Sequence, residues 1–84
     1  MTKKVTIYST PTCYYCRGAK EFFKEHNIAY DEHNVATDAA RRKEMMDKSG
    51  QLGVPVITVS EPDGSNESLV IGFDEPQLVK LIGV

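Results

Sequence analysis

The spacing of apolar residues along this chain switches between two periods. Val5-Thr6-Ile7-Tyr8 is a short β-branched and aromatic run, the signature of a strand. Ser9-Thr10-Pro11-Thr12 interrupts it with breaker residues. Cys16, Ala19, Phe22, Phe23 and His26 then recur three or four apart, which predicts one face of a helix over about Tyr14 to His26. Gly18 lies inside that helix at a cost of about 1 kcal/mol relative to Ala. A glycine in such a place often marks close packing.

The second half of the chain is less regular. Ile28 to Val35 is a polar strand candidate. Thr37 can cap a second helix, with Asp38 in its first turn, Lys48 in its last and Gly50 as its left-handed terminator. The apolar pattern of that helix is thin: Ala39, Ala40, Met45 and Met46. Val54 to Val59 is the strongest strand, with Pro55 at its start or at an edge because proline cannot donate to a ladder. Glu61 to Ser65 has the chemistry of a turn, and Glu67 to Ile71 makes the return strand of a hairpin. Asp74-Glu75-Pro76-Gln77 reads as a capping box ahead of an apolar helix face of Leu78, Val79, Leu81 and Ile82. The order βαβαββα predicts an α/β fold with one mixed four-stranded sheet and three helices on its faces. The first βαβ unit is expected to be parallel and right-handed, and the last two strands antiparallel.

Composition narrows the classes of function. Eighty-four residues allow one domain, 1–84. Hydrophobic residues at 40% and charged residues at 26% are ordinary for a globular chain. No apolar run approaches the roughly 20 residues that cross a bilayer, and Val5 to Tyr8 is too short for a signal peptide. The expectation is a cytoplasmic monomer with no membrane partner. A net charge of −2 lacks the basic balance of a nucleic-acid binder. Yet residues 1–20 hold Lys3, Lys4, Arg17 and Lys20 and no acid. The two cysteines lie within that positive stretch.

Those cysteines, Cys13 and Cys16, stand three apart after a strand and at the opening of a helix. A bridge between them closes almost no loop and adds little fold stability, so its purpose would be chemical. Cys13 is placed where free backbone N–H groups and the helix dipole favour an anion, and Arg17 and Lys20 add positive charge. Each favours the thiolate, the form that attacks disulfides. Cys16, one turn further in, is expected to be more buried and within reach to close the bridge. A zinc site would need four ligands, and adding His26 and His33 to the pair misses the usual finger spacing, so no metal is expected. The bland alternative, two small apolar side chains, leaves the helix-start placement as a coincidence.

Three motifs together resemble the glutaredoxins, from Val5 almost to the end of the chain. They are Tyr8 to Cys16 with its C-x-x-C, Gly53-Val54-Pro55 in place of the family's Thr-Val-Pro, and Ile71-Gly72-Phe73-Asp74 in place of its Gly-Gly-x-x-Asp region. The resemblance implies a thioredoxin-like fold and a cis Val54–Pro55 bond facing the cysteines. It also implies that the backbone at Val54 pairs with the substrate's cysteinyl main chain. It further implies a glutathione-dependent thiol–disulfide oxidoreductase acting on protein or mixed disulfides. Glutathione would lie along Thr10, Tyr15, Val54, Pro55, Gly72, Phe73 and Asp74. The chain departs from the family where Tyr14 replaces a proline, Thr10 replaces a lysine, Ile71 replaces a glycine, and Gln51 and Leu52 fill slots that commonly carry a cation. The missing cations predict weaker hold on the glycyl carboxylate of glutathione. Similar departures occur in glutaredoxin-like hydrogen donors reduced by thioredoxin reductase, a flavin-dependent disulfide reductase, which is one alternative. Glutathione-ligated iron–sulfur cluster binding is the other, kept open by Tyr14.

Overall fold

The computed structural model describes residues 3–50 and 53–83. The β-branched run near the start forms β1 (Lys4–Ser9), followed by α1 (Tyr14–Glu25) and β2 (Tyr30–Asn34). Then come α2 (Ala39–Ser49), β3 (Val56–Ser60), β4 (Ser68–Ile71) and α3 (Glu75–Ile82). The sheet order is β2-β1-β3-β4, with β1 and β2 parallel and the other neighbours antiparallel. This is the mixed sheet and the three-helix order expected from the sequence. β1 and β3 are central, and β2 and β4 are the edges.

Alternation along the central strands builds two unequal cores. Val5, Ile7, Ile57, Val59 and Val70 pack with Ala19, Phe22 and Phe23 of α1 and Leu78 of α3. On the other face Tyr8 and Val56 meet Val35 and Met45, with Met45 the one buried residue of α2. No helix among the described residues is long and apolar enough to cross a membrane.

Several boundaries differ from the sequence expectation for local reasons. α1 stops at Glu25 because Asn27 turns left-handed at φ +55°. The N–H groups of Asn27 and Ile28 return to the carbonyls of Lys24 and Phe23 at 3.2 and 2.8 Å, which closes the helix end. Ile28 is thus spent on that closure, and β2 begins only at Tyr30. The cap of α2 is Asp38 rather than Thr37: its Oδ1 accepts from Arg41 N–H at 3.1 Å. Thr37 instead belongs to the preceding turn, where its N–H donates to the Asn34 carbonyl at 3.3 Å. Gly50 ends α2 at φ +75°, as expected. β3 starts two residues later than expected, at Val56, because Val54 and Pro55 form a separate loop ahead of the ladder.

Candidate functional site

Where β1 ends, the chain turns through Thr10–Thr12, and the Cys13 N–H donates to the Thr10 carbonyl at 3.3 Å. Cys13 then caps α1: its Sγ accepts the Cys16 N–H at 3.2 Å. No acid stands in the first turn of the helix. The sulfur therefore sits among the free N–H groups of a helix start, in a field that favours an anion. Cys13 is half-buried, Cys16 is fully buried, and both are free thiols. Burial first, and then the hydrogen bond with Cys13, push the Cys16 thiol up from an ordinary value of 9.0 to about 12. A hydrogen bond with the Thr10 backbone, and after it the Lys20 ammonium, act in the opposite sense.

The sequence counted Lys20 as a charge free to act on the pair. The structure corrects this in part. Lys20 Nζ lies 2.8 Å from Glu32 Oε2 on β2, and the buried Ser9 hydroxyl donates to the same oxygen at 3.0 Å. This contact holds the Glu32 carboxyl below its ordinary value and raises Lys20 above its own. Arg17 is exposed beside the pair.

The Val54–Pro55 bond is cis, as the resemblance implied. The Cys13 thiol points at the Val54 carbonyl at 3.9 Å. The Pro55 carbonyl accepts the Gly72 N–H at 2.8 Å, and Gly72 has φ +80°, a conformation that suits glycine. Asp74 caps α3, its Oδ1 accepting from Gln77 N–H at 3.3 Å, with Pro76 in the first turn. Cys13, Cys16, Thr10, Val54, Pro55 and Gly72 are thus joined by a continuous run of contacts. Gln51 and Leu52, where a cation was expected to be missing, lie outside the described residues.

Tyr15 and Phe73 meet elsewhere, across a cleft of about 390 Å³ lined by Tyr14, Tyr15, Arg17, Gly18, Glu21 and Phe73. Tyr14 and Tyr15 are 74% and 61% exposed and stack edge to face at 5.4 Å. Gly18 faces the Phe73 ring, and a β-carbon there would sit 3.4 Å from it, an ordinary contact, so the packing does not demand the glycine the sequence hinted at. Sequence reasoning missed Tyr14, Arg17 and Glu21 as cleft residues. Their signal was present, because positions 14, 17, 18 and 21 form one stripe on the face of α1 opposite its core residues. Thr10, Val54, Pro55, Gly72 and Asp74 do not line this cleft.

Among the described residues, no group of three or more His, Cys, Asp or Glu side chains could hold a metal ion. His26 packs on Phe22 at 4.5 Å, and His33 lies beside Tyr8 at 5.4 Å.

A dithiol at the start of the first helix, facing a cis-proline loop over a four-stranded mixed sheet, defines a thioredoxin-like protein. In support, the crystal structure of a thioredoxin-like protein superposes with a TM-score of 0.76 at 32% identity, covering 92% of this chain and 97% of that one. The sequence model of the Glutaredoxin family matches residues 5–61, and the chain belongs to that family. It is 44% identical over 78 residues to an uncharacterized glutaredoxin-like 8.6 kDa protein in the rubredoxin operon of Clostridium pasteurianum, covering 93% of this chain and 96% of the relative. It is 36% identical over 55 residues to glutaredoxin 3 of Escherichia coli K12, covering 66% of each.

Proposed function

We propose that the protein reduces disulfides by a two-cysteine exchange. The Cys13 thiolate attacks a substrate disulfide, forms a bond to one sulfur and releases the other as a thiolate that takes a proton from water. Cys16 then loses its proton, bonds to Cys13 Sγ and expels the second substrate sulfur. The substrate gains two electrons and the cysteine pair becomes a disulfide. The observation that carries this reading is the half-exposed Cys13 sulfur at the helix start, 3.2 Å from the N–H of a fully buried Cys16. The difference in access supports attack by Cys13 and resolution by Cys16. Cys13→Ser is expected to abolish reduction, and Cys16→Ser to accumulate a mixed disulfide detectable by mass. Preferential alkylation of Cys16 by limiting reagent would overturn the assignment.

Glutaredoxins generally use glutathione, and it is the electron donor in this reading. Its cysteinyl part would run along Val54 and Pro55, with Thr10, Tyr15, Gly72, Phe73 and Asp74 around it. A second reading, reduction by a flavin-dependent disulfide reductase, is favoured by the exposed Tyr14 and Tyr15 rings beside Cys13, which suit a protein partner. Turnover measured once with glutathione and its reductase, and once with thioredoxin reductase, separates the two. The protein partners are disulfide-bearing substrates, met as a cytoplasmic monomer.

A further inference from the structure

The second half of the exchange poses a problem that the first does not. Cys16 attacks only as a thiolate, yet it is completely buried and its thiol is held far above the ordinary range. In the reduced pair, part of that elevation comes from Cys13 itself. Once Cys13 is bonded to a substrate sulfur it carries no charge and that part vanishes. Burial remains, and it opposes the anion.

Lys20 lies one helical turn beyond Cys16, a spacing that brings β-carbons to about 5–6 Å and puts both residues on one side of α1. Its charge acts on Cys16 in the sense that favours the anion, as the hydrogen bond with the Thr10 backbone does more strongly. Its side chain is only 20% exposed, and its ammonium is fixed from across the sheet by Glu32 at 2.8 Å. Glu32 is itself tied to the buried Ser9 hydroxyl at the end of β1. The other groups facing this cluster are few. β2 contributes Tyr30, α1 contributes Lys24, and Cys13 stands at the N-cap of α1. A long cationic side chain that would otherwise reach into water is thus held against the β2 edge of the sheet, one helical turn along α1 from the resolving thiol.

From this arrangement we infer that Lys20 is a positioning residue for resolution: its ammonium, held by the Glu32 carboxylate to which Ser9 is bonded, favours the Cys16 thiolate while Cys13 is tied up in the mixed disulfide. The inference rests on the two-cysteine reading above. The Cys16 thiol releases its proton to solvent. The new bond forms between Cys16 and Cys13 sulfurs, and the bond from Cys13 to the substrate sulfur breaks. Lys20 neither gives nor takes a proton.

The test uses the reduced full chain and dithiodipyridine, an uncharged disulfide, so that no ion pair with the probe is lost. Each protein molecule releases one thiopyridone when the mixed disulfide forms and a second when Cys16 resolves it. A wild type that releases only the first would overturn the two-cysteine reading itself. With both releases present, Lys20→Met is expected to slow the second about three- to tenfold at neutral pH. Its pH profile should move to the alkaline side by about half to one pH unit. Lys20→Arg should keep the wild-type profile, since the charge stays. Lys20→Gln repeats the test if the Met variant does not fold. An unshifted profile in the neutral variants, or an equal slowing of the first release, overturns the role assigned to Lys20.

Discussion

The two faces of the sheet are built by different means. Under α1 and α3 lies a core of nine buried apolar residues, two of them phenylalanines from α1. Under α2 the cluster has four, and one of these is Tyr8, whose hydroxyl end faces the charges of Glu44 and Lys48. α2 is further tied by Arg41–Glu44 at 3.0 Å and by Lys48–Glu67 at 3.0 Å. Exposed pairs of this kind contribute only about 0.2–1 kcal/mol each, whereas a buried aromatic contributes several times more. The cysteines stand on the helix of the strongly packed face. The lesson is that the reactive pair is held on the most resistant element, and α2 is the element able to loosen first.

The comparison breaks most directly at the two central side chains. Phe23→Ala, at a fully buried site against Phe22 and Tyr30, should cost about 3–5 kcal/mol. Met45→Ala should cost about 2 kcal/mol, because its smaller cluster has fewer atoms to lose. Chemical denaturation of both variants checks the order. Hydrogen exchange should show the second loss confined to α2.

A smaller effect sharpens the picture of α2. Asp38→Ala should cost about 1 kcal/mol, which lowers the melting temperature of a chain this size by roughly 4–8 °C. Thr37→Ala should change it by less than about 0.5 kcal/mol. Equal losses in the two variants would return the cap to Thr37. On the other face, Gly18→Ala should stabilise by up to about 1 kcal/mol, since the β-carbon meets only the edge of the Phe73 ring at 3.4 Å. A fall in melting temperature would mean that the ring cannot yield.

The smallest effect is a pH dependence. The Lys20 ammonium, and then the Ser9 hydroxyl, hold the Glu32 carboxyl below its ordinary value of 4.5. A carboxylate depressed in this way stabilises the fold above the ordinary value, and that contribution is lost as pH falls through the lower one. Glu32→Gln should therefore flatten the acid limb of a stability curve by about 0.2–1 kcal/mol, in keeping with a side chain 41% exposed. An unchanged acid limb would show that the pair does not couple to folding.

Much of the fold was legible because its signals are local. The strand of Val5 to Tyr8, the helix face of Cys16, Ala19, Phe22 and Phe23, and the Asp74 cap each lie within a few residues. The hidden parts depend on contacts between distant segments or on competition between neighbours. Thr37 and Asp38 are both good caps, and the Thr37 hydroxyl, turned back to the Asn34 carbonyl at 3.5 Å, leaves the role to Asp38. The charge of Lys20 looked free because its partner Glu32 lies on another element. Phe73 and Gly18 meet only after the sheet has brought α1 and the start of α3 together. In the candidate site, Cys13 and Cys16 could be read from spacing, and Val54 and Pro55 from resemblance. The cleft stripe of α1 went unassembled because Tyr14, Arg17 and Gly18 were each read for a different reason and Glu21 for none, and their partner Phe73 lies on a distant segment.

The sheet's two open margins bear on how the chain behaves when crowded. Every open margin exposes unpaired N–H and C=O groups that another chain could extend. β2 carries the charged Asp31 and Glu32, so a second copy laid beside it would set like charges against each other. β4 offers only four residues, and the left-handed Gly72 ends it at once. A ribbon growing from either side meets repulsion at one and runs out of length at the other. The charge of β2 and the shortness of β4 thereby guard the protein against stacking into fibres.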